Sequence, residues 1–160
     1  MLKENSLCVS FYGWDKVDLF MGAWRAAGLR PVGQIIFCKP YASSVRYLSY
    51  RHEGAYLLAK GFPPFPDKPP PEVMGWEYSG NRLHPTQKPV ASLKPLIAAF
   101  TKPGQIVLDP FAGSGSTLVA ARAQHAHTGL AMVDRAQLVQ VQQIRQLAGI
   151  DTVTFVSIFE

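Results

Sequence analysis

Short apolar runs alternate with helix-like patterns in the first third of the chain. Runs at 7–12, 32–37 and 54–59 predict strands, although the third also fits a buried helix. Between the first two runs, apolar residues at helical spacing predict a helix over 15–27, capped by Asp15. The residues expected in the core of this part are Trp14, Val17, Phe20, Met21, Trp24 and Phe37.

Two segments that follow show neither pattern. Residues 41–51 are rich in Ser and Tyr and predict a loop. After the third strand, closely spaced prolines exclude a helix interior or a central strand. We therefore expect an extended surface loop that runs to about Arg82. Its prolines are Pro63, Pro64, Pro66, Pro69, Pro70 and Pro71.

The second half alternates strands and helices more regularly. The predicted elements are a helix at 92–100, a strand at 105–108, a turn and helix at 113–124, a strand at 128–133, a helix at 135–147 and a strand at 152–155. Pro95 is compatible with the first of these helices only within its first turn, where the amide needs no partner. Strands alternating with helices predict an α/β fold, with helices packed on a parallel sheet.

Composition narrows the class of protein. A chain of 160 residues with 48% hydrophobic content suffices for one globular domain and is too apolar for a disordered tail. No apolar run reaches the roughly 20 residues of a membrane helix, and no secretion signal is visible. Cys8 and Cys38 make neither a disulfide framework nor a metal cluster, so we expect both reduced, in strands of a cytoplasmic protein. The net charge of +5 and the pI of about 9.4 weakly favour a polyanionic partner.

The most informative stretch is 106–117, where an apolar strand ends in an acid and a small-residue turn opens a helix. Gly113 and Gly115 allow a ligand to approach the backbone closely, and the helix start offers unpaired amides. No Lys follows the glycines and Leu118 stands at the third glycine position, so neither common phosphate-binding motif fits. Asp109 would repel a phosphate and suits a ligand that donates from an amine or a hydroxyl. The alternative is a tight strand-to-helix turn that binds nothing.

Two strings carry a family resemblance. Residues 109–117, Asp-Pro-Phe-Ala-Gly-Ser-Gly-Ser-Thr, resemble the S-adenosylmethionine-binding motif of DNA methyltransferases that modify adenine N6 or cytosine N4. Residues 84–89, His-Pro-Thr-Gln-Lys-Pro, resemble the second signature, and its place before the first is typical of the permuted β-type members. The resemblance spans about 7–147 and implies a Rossmann-like sheet with helices on both faces. We expect a partial methyltransferase domain over 1–150 and an unassigned C-terminal strand over 151–160.

The resemblance implies roles in cofactor binding for residues 109–117, which we call the glycine turn. Asp109 and Phe111 would bind the methionine side of S-adenosylmethionine and flank the cofactor. Gly113 and Gly115 would give the backbone clearance, and Thr117 would hydrogen-bond nearby.

The same resemblance assigns the opposite wall of the pocket to the second string. His84, Thr86 and Lys88 would line this wall, and Lys88 would meet the methionine carboxylate. Asp134 would bind the ribose hydroxyls. The family's usual Glu in that strand is absent here, so either Asp134 has taken its place or recognition of the ribose is weakened.

The family's catalytic signature, Asp/Asn/Ser-Pro-Pro-Tyr/Phe, does not occur in the sequence. Residues 62–65, Phe-Pro-Pro-Phe, are similar in form, but Phe accepts no hydrogen bond, and we interpret the string as loop. Residues 1–6 resemble the turn before the family's fifth strand, so we expect Met1 to be an internal Met of a longer protein. The catalytic strand would then be missing between 7–12 and 106–109, which leaves a gap or unpaired backbone groups.

The resemblance implies a site-specific DNA methyltransferase, which transfers a methyl group from S-adenosylmethionine to an exocyclic amine of a base flipped out of double-stranded DNA. Such an enzyme belongs to a restriction–modification system or acts as an orphan. Without the catalytic signature, we expect this chain alone to be inactive. Candidates for DNA phosphate contacts, or for a solvated polar face, are Arg46, Arg51, His52, Arg82 and Lys88.

Two alternatives remain open at this point. A catalytically dead remnant that binds the cofactor or DNA would act as an interaction module. A methyltransferase of RNA or protein is disfavoured by the second string and by its order relative to the first.

Overall fold

The computed structural model describes residues 2–78, 87–102, 105–109, 114–124 and 155–159. Its helices are α1 (Val17–Ala26), preceded by a 3₁₀ turn (Trp14–Lys16), α2 (Val90–Phe100) and α3 (Ser116–Gln124). Its strands are β1 (Ser6–Phe11), β2 (Arg30–Cys38), β3 (Ser44–Val45), β4 (Ser49–Tyr50), β5 (His52–Lys60), β6 (Val73–Gly75), β7 (Ile106–Leu108) and β8 (Phe155–Phe159).

The main sheet has six strands in the order β6-β2-β5-β1-β8-β7. Strand β5 pairs antiparallel with both β1 and β2, which therefore run in the same direction. Strand β8 pairs antiparallel with both β1 and β7, so these two are aligned as well. Strand β6 lies parallel to β2. The carboxyl ends of β1, β2, β6 and β7 consequently meet at one edge of the sheet, which we call the carboxyl edge.

The core lies on both faces of this sheet, because side chains of β1 alternate between the faces. Cys8 packs with Phe20 and Trp24 of α1. The larger cluster on the other face is built from the sheet and from α2 and α3, and includes Val9, Phe11, Ile35, Phe37, Ala55, Leu93, Leu96, Ile97, Val107, Ala120 and Ala121. Helices on both faces, and the burial of Phe20, Trp24 and Phe37, are therefore confirmed. Val17 and Met21 are half-buried.

The prediction of a parallel sheet is wrong for the described strands. Four of their pairings in the main sheet are antiparallel, and only β6 pairs parallel with its neighbour. Two of these pairings come from β8, which runs antiparallel to β1 and to β7. The other two come from β5, which confirms the strand predicted at 54–59 and returns from β2 through the β3–β4 hairpin without a crossover helix. A strand that returns directly must run antiparallel to the one it leaves.

The gap expected between β1 and β7 is filled. Strand β8 occupies that position, with Ser157 opposite Cys8 on one side and opposite Leu108 on the other. The two flanking strands thus obtain backbone partners, which an open slot would have denied them. The strand predicted at 152–155 extends to Phe159, while 152–154 lie outside the described residues.

Three local predictions need correction. The segment 41–51 contains the small antiparallel hairpin of β3 and β4. The proline segment contains β6, which joins the edge of the sheet. Helix α2 begins at Val90, so Pro95 lies beyond its first turn. Both Pro95 and Ala91, whose carbonyl loses the helical partner, are exposed and open to water.

Several other predictions concern residues that the structure does not describe. The strand at 128–133 and the helix at 135–147 both lie outside the described residues.

Cys8 and Cys38 are free cysteines in β1 and β2, as predicted. Among the described helices, none has the length and the apolar character that a bilayer crossing requires.

Trp14 was expected in the core and is 66% exposed, where it stacks on Tyr50. Trp24 is fully buried beside the rings of Tyr12, Phe20 and Tyr56. Substitution Trp24→Ala is therefore expected to lower the free energy of unfolding by about 3–5 kcal/mol. Trp14→Ala is the matched control and should cost at most about 1 kcal/mol. Urea unfolding of both variants checks this, and equal losses would contradict the assignment of the core.

Candidate functional site at the carboxyl edge

The glycine turn lies at the carboxyl edge, between β7 and α3. Asp109 directly follows β7 and is only 4% exposed. Gly115 has a φ of +74°, a left-handed conformation that favours glycine, and among the described residues beyond its chain neighbours no atom lies within 4 Å of where a Cβ would stand. Helix α3 starts at the next residue, and the hydroxyl oxygens of Ser114 and Ser116 lie 2.9 Å apart. Thr117 is buried in the first turn of this helix.

This arrangement fits a ligand that approaches the backbone. A side chain at the position of Gly115 would strain the turn, because its φ is left-handed. The first amides of α3 lack helical partners and are available as donors. The carboxylate of Asp109 supplies an acceptor at the end of the neighbouring strand. Donors and an acceptor on one turn suit a polar ligand.

A second group of chemistry-bearing residues lies at the same edge and consists of Lys39, Glu53 and Lys88; we call it the lysine–glutamate cluster. The ammonium of Lys39 donates a hydrogen bond to Oε1 of Glu53. The Nζ of Lys88 lies 3.6 Å from Oε2 of the same carboxylate. One carboxylate therefore serves two ammonium groups, and the cluster carries a formal charge of +1.

Aromatic rings lie beside both ammonium groups of the cluster. The Nζ of Lys88 lies 4.7 Å from the centre of the Phe11 ring and 5.6 Å from that of Trp76. The Nζ of Lys39 lies 5.3 Å from the ring centre of Trp76. Ring faces attract cations, and this partly replaces the water that the lysines lose on burial.

Backbone hydrogen bonds bring the cluster together from four elements. The amide of Lys39 donates to the carbonyl of Arg51 at 2.7 Å, which closes the base of the β3–β4 hairpin. The amide of Trp76 donates to the carbonyl of Cys38 at 2.9 Å. The buried hydroxyl of Ser92 in α2 donates to the carbonyl of Gly75 at 3.1 Å and accepts from the amide of the residue after Trp76. The end of β6 is thereby tied to the helix that Lys88 precedes.

The pKa values within the cluster follow from this packing. Burial raises the pKa of the Glu53 carboxyl, but the ammonium groups of Lys88 and Lys39 outweigh burial, and the pKa falls below its ordinary value of 4.5. Burial lowers the pKa of Lys88 below its ordinary value of 10.5; Glu53 opposes this shift and Lys39 adds to it.

Four of the predicted cofactor residues fall within the described part of the chain. Asp109, Gly115 and Thr117 lie together on the glycine turn and α3. Lys88 lies at the same edge of the sheet and contacts Glu53. The remaining predicted residues, Phe111, Gly113, His84, Thr86 and Asp134, lie outside the described residues.

Lys39 and Glu53 are members of the site that the sequence motifs did not indicate. A signal was present in the pattern, because each is a charged residue at the end of an otherwise apolar strand. Charged residues in such positions are buried only when they are paired. Their partnership depends on the pairing of β2 with β5, which the sequence alone does not give.

Two cavities lie at the opposite edge of the sheet, under the proline segment. Their volumes are about 610 and 760 Å³, and both are lined mainly by prolines and by apolar residues such as Leu7, Phe65 and Phe100. Neither cavity is lined by a residue of the glycine turn or of the lysine–glutamate cluster. We place the candidate site at the carboxyl edge, because the chemistry-bearing residues lie there.

The sequence is similar to known methylases. Residues 1–152 match a family model described as DNA methylase. A putative methylase, YubD, from Escherichia coli K12 is 63% identical over 121 residues, which cover 76% of this chain and 53% of that protein. The type II methyltransferase M.HindIII of Haemophilus influenzae is 57% identical over 44 residues, 28% of this chain and 14% of that protein. The matched region thus spans about half the length of the Escherichia coli relative.

The fold is similar to that of a solved structure. The crystal structure of M1.HpyAVI matches 92% of this chain and 75% of its own, with a TM-score of 0.64 and 20% identity. Its complex with SAM matches 88% of this chain and 76% of its own, with a TM-score of 0.65 and 21% identity. The expected methyltransferase-like α/β architecture and the expected family resemblance are confirmed.

The ion pairs of the cluster predict an acid dependence of stability. Because folding lowers the pKa of Glu53, its ionised form stabilises the fold above the ordinary carboxyl pKa, and this contribution is lost as the pH falls through the lowered value. Glu53→Gln should lower the free energy of unfolding by about 1–3 kcal/mol at neutral pH and should flatten its fall as the pH drops below the ordinary carboxyl pKa of 4.5. Urea unfolding across pH measures this. The exposed Glu72→Gln is the control, and an unchanged acid dependence in Glu53→Gln would contradict the assignment.

Proposed function

We propose that this chain, which belongs to the DNA methylase family, binds S-adenosylmethionine at the carboxyl edge and forms the cofactor-binding part of a site-specific DNA methyltransferase. The methyl group would go to an exocyclic amine, adenine N6 or cytosine N4, of a base flipped out of double-stranded DNA. The matched region spans about half of the Escherichia coli relative, so activity, substrate and partners all belong to the proposal.

One observation carries the proposal. Gly115 takes a left-handed conformation at the carboxyl edge, between the buried Asp109 at the end of β7 and the first turn of α3. A glycine at this position lets a ligand approach the backbone of the turn closely, beside the carboxylate of Asp109. The known complex of M1.HpyAVI with SAM, which shares the fold, supports this choice of ligand.

The residues of this chain would bind and orient the cofactor, which supplies an electrophilic methyl group when bound. Asp109 accepts a hydrogen bond from the amine or a hydroxyl, and the ammonium of Lys88 faces the carboxylate of the methionine end. Gly115 lets the ligand approach the backbone, and the hydroxyl of Thr117 forms a hydrogen bond close to the ligand. By resemblance, the remaining residues of the pocket are Phe111, Gly113, His84, Thr86 and Asp134.

DNA is the proposed macromolecular partner. The net charge of +5 favours a polyanion. The β3–β4 hairpin follows the carboxyl end of β2 and carries the exposed Arg46, and the exposed Arg51 follows it. Both residues therefore lie on the side of the sheet where the cofactor would bind. Phosphate contacts there would position the duplex without reading its sequence.

We consider a second candidate function because the sequence lacks the Asp/Asn/Ser-Pro-Pro-Tyr/Phe signature. That signature would supply the hydrogen-bond acceptor for the target amine. In the sheet, β8 lies between β1 and β7, which is the place expected for the catalytic strand. A chain that binds the cofactor without transferring its methyl group would act as an interaction module. The two functions share the cofactor site and differ only in catalysis.

Binding of the cofactor product tests the proposal. S-adenosylhomocysteine titrated into the folded chain should give saturable heat by isothermal calorimetry. Asp109→Asn replaces a charged acceptor by a neutral amide and should weaken binding about tenfold, and the exposed Asp67→Asn should leave it unchanged. The absence of heat at high micromolar ligand, with a folded sample, would overturn the proposed site.

Catalysis is tested separately. The purified chain, incubated with duplex DNA and S-adenosylmethionine labelled with tritium in its methyl group, should transfer no label, because the signature that would supply the acceptor does not occur in the sequence. Clear incorporation would show that this chain contains an acceptor of its own, and it would exclude the interaction module.

A further inference from the structure

The two carboxylate oxygens of Glu53 contact different lysines at different distances. Oε1 accepts a hydrogen bond from Lys39, whose side chain is only 6% exposed. Oε2 lies 3.6 Å from the ammonium of Lys88, a longer contact made by a more accessible side chain. Lys39 therefore fixes the carboxylate, and Lys88 is the partner that can turn toward a second anion.

The charge balance leaves one ammonium without a full counter-ion within the cluster. The buried Lys39, the half-buried Lys88 and one glutamate sum to +1, and a net charge in a partly desolvated place is costly. The described charged groups that act on Lys88 are Glu53 of β5 and Lys39 after β2; the rings of Phe11 and Trp76 contribute their faces. An additional carboxylate beside Lys88 would neutralise the cluster.

We propose that Glu53 is a positioning residue: held by Lys39, it keeps the Lys88 ammonium at the carboxyl edge, oriented for the carboxylate of the cofactor's amino-acid end. This inference rests on the proposed function and adds two residues, Lys39 and Glu53, to its machinery. Glu53 acts through Lys88 and does not itself contact the ligand.

Removal of the Glu53 charge has a defined consequence. With Gln at this position, the two ammonium groups repel each other and lose their common acceptor, so Lys88 leaves its place. The loss of Glu53 also removes the attraction that holds the pKa of Lys88 up against burial and Lys39. The ammonium then loses its proton at a lower pH than in the unsubstituted chain.

Two ligands separate positioning from general damage. S-adenosylhomocysteine carries the amino-acid carboxylate, and 5′-methylthioadenosine has the same nucleoside thioether without it. Calorimetry on the full chain should show that Glu53→Gln weakens S-adenosylhomocysteine about tenfold at pH 7.5 and more at pH 9.5. Binding of 5′-methylthioadenosine should change less than about twofold. The exposed Glu72→Gln should bind both ligands as the unsubstituted chain does.

A double-substitution cycle tests whether Glu53 acts through Lys88. Lys88→Met alone should also weaken S-adenosylhomocysteine about tenfold, and the double variant should be no weaker than Lys88→Met. Additive losses would overturn the inference. So would unchanged or tighter binding by Glu53→Gln, because the glutamate would then only compete with the ligand, and so would equal losses for both ligands.

A further variant covers the case in which Glu53→Gln does not fold. Glu53→Asp keeps the charge but shortens the side chain, so it cannot serve both lysines. An intermediate loss confined to S-adenosylhomocysteine supports positioning, and no loss or an equal loss for both ligands overturns it. If the unsubstituted chain binds neither ligand, the proposed function itself fails.

Discussion

The alignment of strands is the constraint on which the rest of the structure depends. Strands β1 and β2 share the antiparallel partner β5, and strands β1 and β7 share the antiparallel partner β8. Each shared partner forces its two neighbours into the same direction. Residues that follow strands far apart in sequence therefore gather at one edge. The glycine turn and the lysine–glutamate cluster lie on one side of the sheet for this reason.

The carboxyl edge is also where the fold places its costliest groups. Asp109 is buried there, and Lys39, Glu53 and Lys88 have given up much of their hydration. The elements around them compensate through ring faces, backbone hydrogen bonds and the Ser92 hydroxyl that ties β6 to α2. The opposite edge holds prolines and apolar side chains around open cavities. Polar groups that are expensive to bury and yet are concentrated at one edge are typical of a binding site.

Periodicity in the sequence predicted most of the described elements, because burial against a sheet imposes its pattern locally. The direction of the strands was not accessible in this way, since the return of β5 through a hairpin depends on pairing rather than on spacing. The same limit hid the partnership of Lys39 with Glu53. Trp14 was misplaced because its aromatic ring predicts burial, whereas the turn after β1 leaves it exposed and stacked on Tyr50. The glycine turn was identified because its motif is encoded in consecutive residues.

The central claim is that the ligand binds at the carboxyl edge, and hydrogen exchange of backbone amides tests it most directly. With saturating S-adenosylhomocysteine, the account predicts slower exchange in Gly115 and the first turn of α3, and in the residues that follow β1 and β2. Amides beside the proline segment should exchange at their original rates. Slower exchange beside the proline segment, with no change at the carboxyl edge, would contradict the account.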